Sequence, residues 1–176
     1  VNDGVNEHFD IASPSAVYGL TAQGDVKAEN KELVLTGESS LTKTFAPLTG
    51  KYLASTYFIL PEGTESIRFA VSSGGYDAIS ITTAGGKLYA NGTELYTLTP
   101  NMWDRLRLEA NPSLESVAVK LNGRTLAAIP LGITLPADTL TIASTSGAAR
   151  FDNIEVYATP DHPDYAPIPE NKANLY

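Results

Sequence analysis

The chain contains no cysteine, so disulfides, thiolate metal centres and cysteine nucleophiles are all excluded. It has only two histidines, His8 and His162, near opposite ends, which leaves a Ser-His-Asp system without support. Positive charge is scarce: twelve Lys and Arg stand against twenty Asp and Glu, for a formal net charge of −8 and a pI of about 4.7. Phosphate binding needs a cationic surface, so nucleic acid and anionic membranes are excluded as partners. The acidity is read as serving solubility. No apolar run approaches the roughly 20 residues that span a bilayer, and no basic-then-apolar leader opens the chain. The opening Val1-Asn2-Asp3-Gly4 reads as the edge of a mature or excised fragment. Secretion remains compatible with this, since many secreted bacterial domains also lack cysteine.

What the chain has in quantity is two-residue alternation. Arg105-Leu106-Arg107-Leu108-Glu109, Val117-Ala118-Val119-Lys120-Leu121 and Phe151 to Tyr157 each alternate apolar and polar residues, the period of a half-buried strand. Asn122-Gly123 and Asn91-Gly92 separate such runs and favour the positive φ values of tight hairpins. Ile67, Phe69 and Val71 alternate against Arg68 and Ala70, and Ile79 and Ile81 point inward. Further strands are expected at residues 7–12, 25–35 (ending before Thr36-Gly37), 41–45, 51–60, 87–90, 93–98, 125–129 and 140–144. The 176 residues, 43% hydrophobic, suit one domain with a substantial core. Eleven or twelve short strands and no constant repeat predict an all-β sandwich of two antiparallel sheets. Residues 1–158 form this domain. Residues 159–176, rich in Pro and acidic side chains, read as a C-terminal extension or linker, because Pro cannot serve a sheet ladder.

On Phe9-Asp10, on Trp103-x-Arg105-Leu106-x-Leu108 with Val117-x-Val119-x-Leu121-Asn122-Gly123, and on Phe151-Asp152-Asn153-Ile154-x-Val156, the chain resembles the concanavalin A-like, laminin-G-like jelly rolls. The likeness covers about residues 5–158. It implies a jelly roll with its first and last strands side by side, in a superfamily of carbohydrate-binding modules, lectins and enzymes. It also implies that Trp103 packs into the core. A structural Ca²⁺ is implied where the termini meet, held by Asp10 and Asp152, with Asn6, Glu7 and Asn153 adding oxygens. The bland reading of both Asp residues is that they cap turns.

Catalysis is not expected. The laminarinase-type Glu-x-Asp-x-x-Glu and Glu-x-Asp-x-Glu strands are absent, as are the lyase motifs Gln-Ile-His and Tyr-Phe-Lys-x-Gly. The nearest carboxylate pairs, Glu62/Glu65 and Glu29/Glu32, read as solvated loop charges. Sugar binding needs less: aromatic rings for C–H faces and polar groups for hydroxyls. Tyr52, Tyr57, Tyr76, Tyr89 and Tyr96 lie on or beside strands and are candidate platforms, each otherwise an ordinary packed ring. If Leu106 and Leu108 point inward, then Arg105, Arg107 and Glu109 point outward, as do Arg68 and Lys120. On a shared face these cations would form a groove for uronic-acid polymers; apart, they would be salt bridges. The expected function is a non-catalytic polysaccharide-binding module of a secreted or cell-surface bacterial glycan-degrading enzyme, monomeric and flanked by domains of the same polypeptide. The alternative is a structural module that packs against a neighbouring catalytic domain; a degenerate hydrolase is the third reading.

Overall fold

The computed structural model describes residues 4–7 and 21–159. The strands are β1 (Gly4–Glu7), β2 (Thr21–Glu29), β3 (Glu32–Leu48), β4 (Tyr52–Ile59), β5 (Ser66–Ser73), β6 (Tyr76–Ala84), β7 (Lys87–Ala90), β8 (Thr93–Thr97), β9 (Asp104–Asn111), β10 (Ser116–Leu121), β11 (Arg124–Pro130), β12 (Ala137–Ser146) and β13 (Ala148–Ala158). Among the described residues the only helical element is a 3-10 turn at Pro112–Leu114, and no helix is long and apolar enough to cross a membrane.

Hydrogen bonding follows one path, β11-β10-β9-β4-β13-β3-β12-β5-β6-β7-β8, with β1 beside β13 and β2 beside β3. The pairings described are antiparallel, and β1 on β13 sets the first and last strands side by side. The path doubles back through β3. Leu33 to Thr36 of that strand pair with Phe151 to Ala148, whereas Ser39 to Leu48 pair with Ser144 to Ala137. The corner lies at Gly37, whose N–H donates to Gly147 O at 2.8 Å. Both glycines hold positive φ, 62° and 83°, where an L side chain is strained.

The two layers thus face each other across a single core. Leu106, Leu108, Val117, Val119, Phe58 and Phe151 of one meet Phe69, Val71, Ile79, Ile81 and Leu88 of the other. Each such side chain contributes about 1.5–3 kcal/mol by leaving water. One edge is stitched by the loop after β11: Gly132 N donates to Ala78 O at 2.7 Å, and Asn91 Nδ2 to Pro130 O at 3.3 Å. A Cβ on Gly132 would lie 2.4 Å from Asp77 O, so this close approach requires glycine. The molecule is the all-β, two-layered antiparallel jelly roll expected from its alternation.

Two sequence-derived boundaries shift. The expected strand over residues 25–35 is broken at Asn30-Lys31, both at positive φ, and this pair is the β2–β3 turn. Gly37, expected to end a strand, instead bends β3 from one layer to the other. Asn91-Gly92 and Asn122-Gly123 are hairpin turns as read. Arg150 ties the β2–β3 hairpin to β13 through Glu29 at 2.7 Å and Glu32 at 3.3 Å. That guanidinium holds the Glu29 carboxyl below its ordinary range.

Candidate functional site

Strand phase separates the two faces of β9 cleanly. Asp104, Leu106, Leu108 and Ala110 are buried, and Arg105, Arg107 and Glu109 face away from the core. The register carries this face across its neighbours. Tyr57 lies opposite Arg105, Ser55 opposite Arg107, and Lys120 opposite Arg107 on the other side. On β13, Asp152 lies opposite Tyr57 and Glu155 opposite Ser55. The face therefore gathers Tyr57, Arg105, Arg107, Glu109, Lys120, Asp152 and Glu155.

Its charges are interlocked. Glu109 Oε2 lies 2.9 Å from Arg107 Nε and 3.1 Å from Lys120 Nζ, ion-pair distance to both. The Arg105 guanidinium stands 5.9 Å from the Tyr57 ring centre, so it takes one face of that ring. Glu155 is only 4% exposed. Burial pushes its carboxyl up, against the opposing pull of Arg105, Arg107 and the Ser55 hydroxyl. At the edge of the face, Asn122 locks the entry to β9: its Oδ1 accepts from Arg105 N and its Nδ2 donates to Asp104 Oδ1, both at 2.8 Å.

Glu155 escaped the sequence reading because β13 is bulged. Asn153 and Ile154 together oppose Thr56, and Asn153 takes a φ of 54°. The bulge resets the phase, so Phe151, Ile154 and Val156 all reach the core while Glu155 turns to the other face. Trp103 is the second omission. It is 38% exposed and immediately precedes β9, so it is not the core residue that the resemblance implied.

The remaining candidates disperse. Tyr52 is 2% exposed and faces the core beside Ala110 and Ala54; burial pushes its hydroxyl up to about 12, and its ring is out of reach of a ligand. Tyr96 packs against the apolar core. Arg68 and Tyr89 lie on the outer face of the opposite layer, linked through Thr82. Arg68 is paired with Asp77 at 2.6 Å. The proposed groove uniting Arg68, Arg105 and Lys120 therefore does not exist, because the fold puts Arg68 five strands away from Arg105. Tyr76, 70% exposed, sits in the β5–β6 hairpin. Nor are all the loop carboxylates solvated: Glu65 is 3% exposed, and its Oε2 accepts from Glu62 N at 2.9 Å.

Of the expected calcium ligands, Asp10 lies outside the described residues. Asp152 Oδ1 accepts from Asn153 N at 2.8 Å, and Asn153 Oδ1 is buried without a hydrogen-bond partner. Among the described residues no group of three or more carboxylate or imidazole side chains is placed to hold a metal.

No protein-family model matches the chain, and no curated protein matches its sequence. Solved structures match its shape. A sialidase superposes over 89% of this chain with a TM-score of 0.78 at 6% identity, and the chain spans only 18% of that protein. The carbohydrate recognition domain of Emp46p, in its metal-free form, matches 89% of this chain and 97% of its own length, with a TM-score of 0.65 and 11% identity. The alginate lyase AlgAT5 of polysaccharide lyase family 7 matches over 90% and 95%, with a TM-score of 0.62 and 12% identity. At these identities the likeness is one of architecture, and it agrees with strand order, layering and core: the chain has the concanavalin A-like jelly-roll fold.

Proposed function

We propose that the chain is a non-catalytic glycan-binding module that holds its ligand on the β9-β10 part of the β13-β4-β9-β10 face, where the polar side chains are half-buried rather than covered. The observation that carries this reading is the row of half-buried polar side chains there, Arg105, Arg107, Glu109 and Lys120 beside Tyr57, with Trp103 exposed just ahead of β9. Indole stacks on sugar C–H faces, and fixed guanidinium and carboxylate groups read hydroxyls. Several structural neighbours carry carbohydrate recognition or glycan chemistry in their names, which supports the ligand class. The absence of the hydrolase and lyase motifs supports binding without cleavage. That the chain spans less than a fifth of a sialidase it resembles in fold supports a place within a larger glycan-degrading enzyme.

The test is a glycan array with the whole chain, followed by affinity electrophoresis of W103A and R105M. Each substitution is expected to weaken binding about tenfold or more. The melting temperature should hold for W103A, whose ring is exposed. Retention of no glycan by the wild-type chain sinks the reading.

A second reading, a protein-contact module, has its own observation. Tyr76, Leu114 and Leu135 are 70%, 73% and 61% exposed at the end of the sandwich away from Trp103. Association with a catalytic domain that is lost on L114D and L135D, with no glycan bound, would favour it.

A further inference from the structure

We infer that this face takes uncharged glycan chains and rejects uronic or sulfated ones, an inference that rests on the glycan-binding reading above. Three cations lie on the face, Arg105, Arg107 and Lys120, and three carboxylates lie among them, Glu109, Glu155 and Asp152. Glu109 already holds two of the cations through one oxygen. Glu155 stands beside Arg105 and Arg107, and at 4% exposure it has no path by which to swing into water. A uronate approaching these arginines would meet two resident carboxylates competing for the same donors. In a poorly hydrated setting that repulsion is stronger than in bulk water. The surrounding protein adds to it, carrying a net charge of −8.

A hydroxyl fits the same arrangement without conflict. It donates to a carboxylate and accepts from a guanidinium, so vicinal hydroxyls match alternating Glu and Arg side chains. Trp103 supplies the apolar surface that an uncharged pyranose ring also presents. The half-buried Tyr57 lies alongside, its ring engaged by Arg105.

Affinity electrophoresis of the whole chain decides the matter, with laminarin, galactomannan and xylan as neutral probes and alginate, polygalacturonate and chondroitin sulfate as acidic ones, at low and high salt. Retardation is expected with at least one neutral polymer and with no acidic one, unchanged by salt. E109Q removes a resident negative charge, so the ratio of alginate to neutral-polymer affinity should rise about fivefold at low salt. Wild-type binding to an acidic polymer that is lost in high salt and in R105M overturns the charge selectivity and leaves glycan binding standing. A ratio unmoved by E109Q overturns it too. Retention of no polymer overturns both readings.

Discussion

Asn122 Nδ2 donates to Asp104 Oδ1 at 2.8 Å, while its own Oδ1 accepts from the neighbouring Arg105 backbone N–H. A hairpin turn residue thereby satisfies a carboxylate that is 2% exposed. Burial raises the Asp104 carboxyl, and the Asn122 amide works in the opposite direction. The amide both donates and accepts without carrying charge.

N122D keeps the shape and removes the donor. Two carboxylates would then share a site that water barely reaches, and the expected cost at pH 7 is about 2–3 kcal/mol. At pH 4 one carboxyl of the pair is protonated, because burial and the second carboxylate both favour the neutral form; its O–H can replace the lost N–H, and the deficit should shrink. Urea denaturation at the two pH values checks this; a deficit that does not change with pH would refute the shared-carboxylate explanation.

For Glu155, the raised pKa fixes the sign of a second expectation. A carboxyl whose folded pKa lies above its ordinary 4.5 binds its proton more tightly in the folded state. Its ionisation therefore costs stability, progressively as pH rises from 4.5 through the folded value, and no further above it. E155Q should raise the melting temperature at pH 7 and do so less at pH 4. A variant that melts lower at pH 7 would show that attraction to Arg105 and Arg107 outweighs desolvation.

Gly147 turns β12 into β13 with a φ of 83°, and a Cβ there would stand 2.2 Å from Glu65 Cγ. G147A is expected to cost about 2–4 kcal/mol, from left-handed strain together with displacement of a buried side chain. Thermal denaturation of G147A beside G123A separates the two contributions. Gly123 also has positive φ, 84°, but nothing lies within 4 Å of its Cβ position.

The layered fold was legible wherever one strand face meets water. Arg105 to Glu109 and Val117 to Leu121 alternate without interruption, and their buried members are the ones that periodicity selects. Legibility ended where both faces are covered. In β4, Tyr52, Leu53, Ala54, Ser55 and Thr56 are all buried, so polarity there carries no phase and Tyr52 read as a surface ring. It ended again at the β13 bulge, since one inserted residue reverses every inside–outside assignment beyond it and hid Glu155. The outward direction of Arg68 was readable, but its layer was not, because that depends on which strands pair across the corner at Gly37. Trp103 was assigned by analogy, and it lies just outside β9, where alternation carries no phase.

The long strand β3 has a mechanical consequence. Leu33 to Thr36 are hydrogen-bonded within one layer and Ser39 to Leu48 within the other, so a single covalent thread is sewn through both. Prying the sandwich apart must unzip that thread on one side or drag the other side with it. A domain tied in this way yields all at once under load, and its two halves have no separate life as folded pieces.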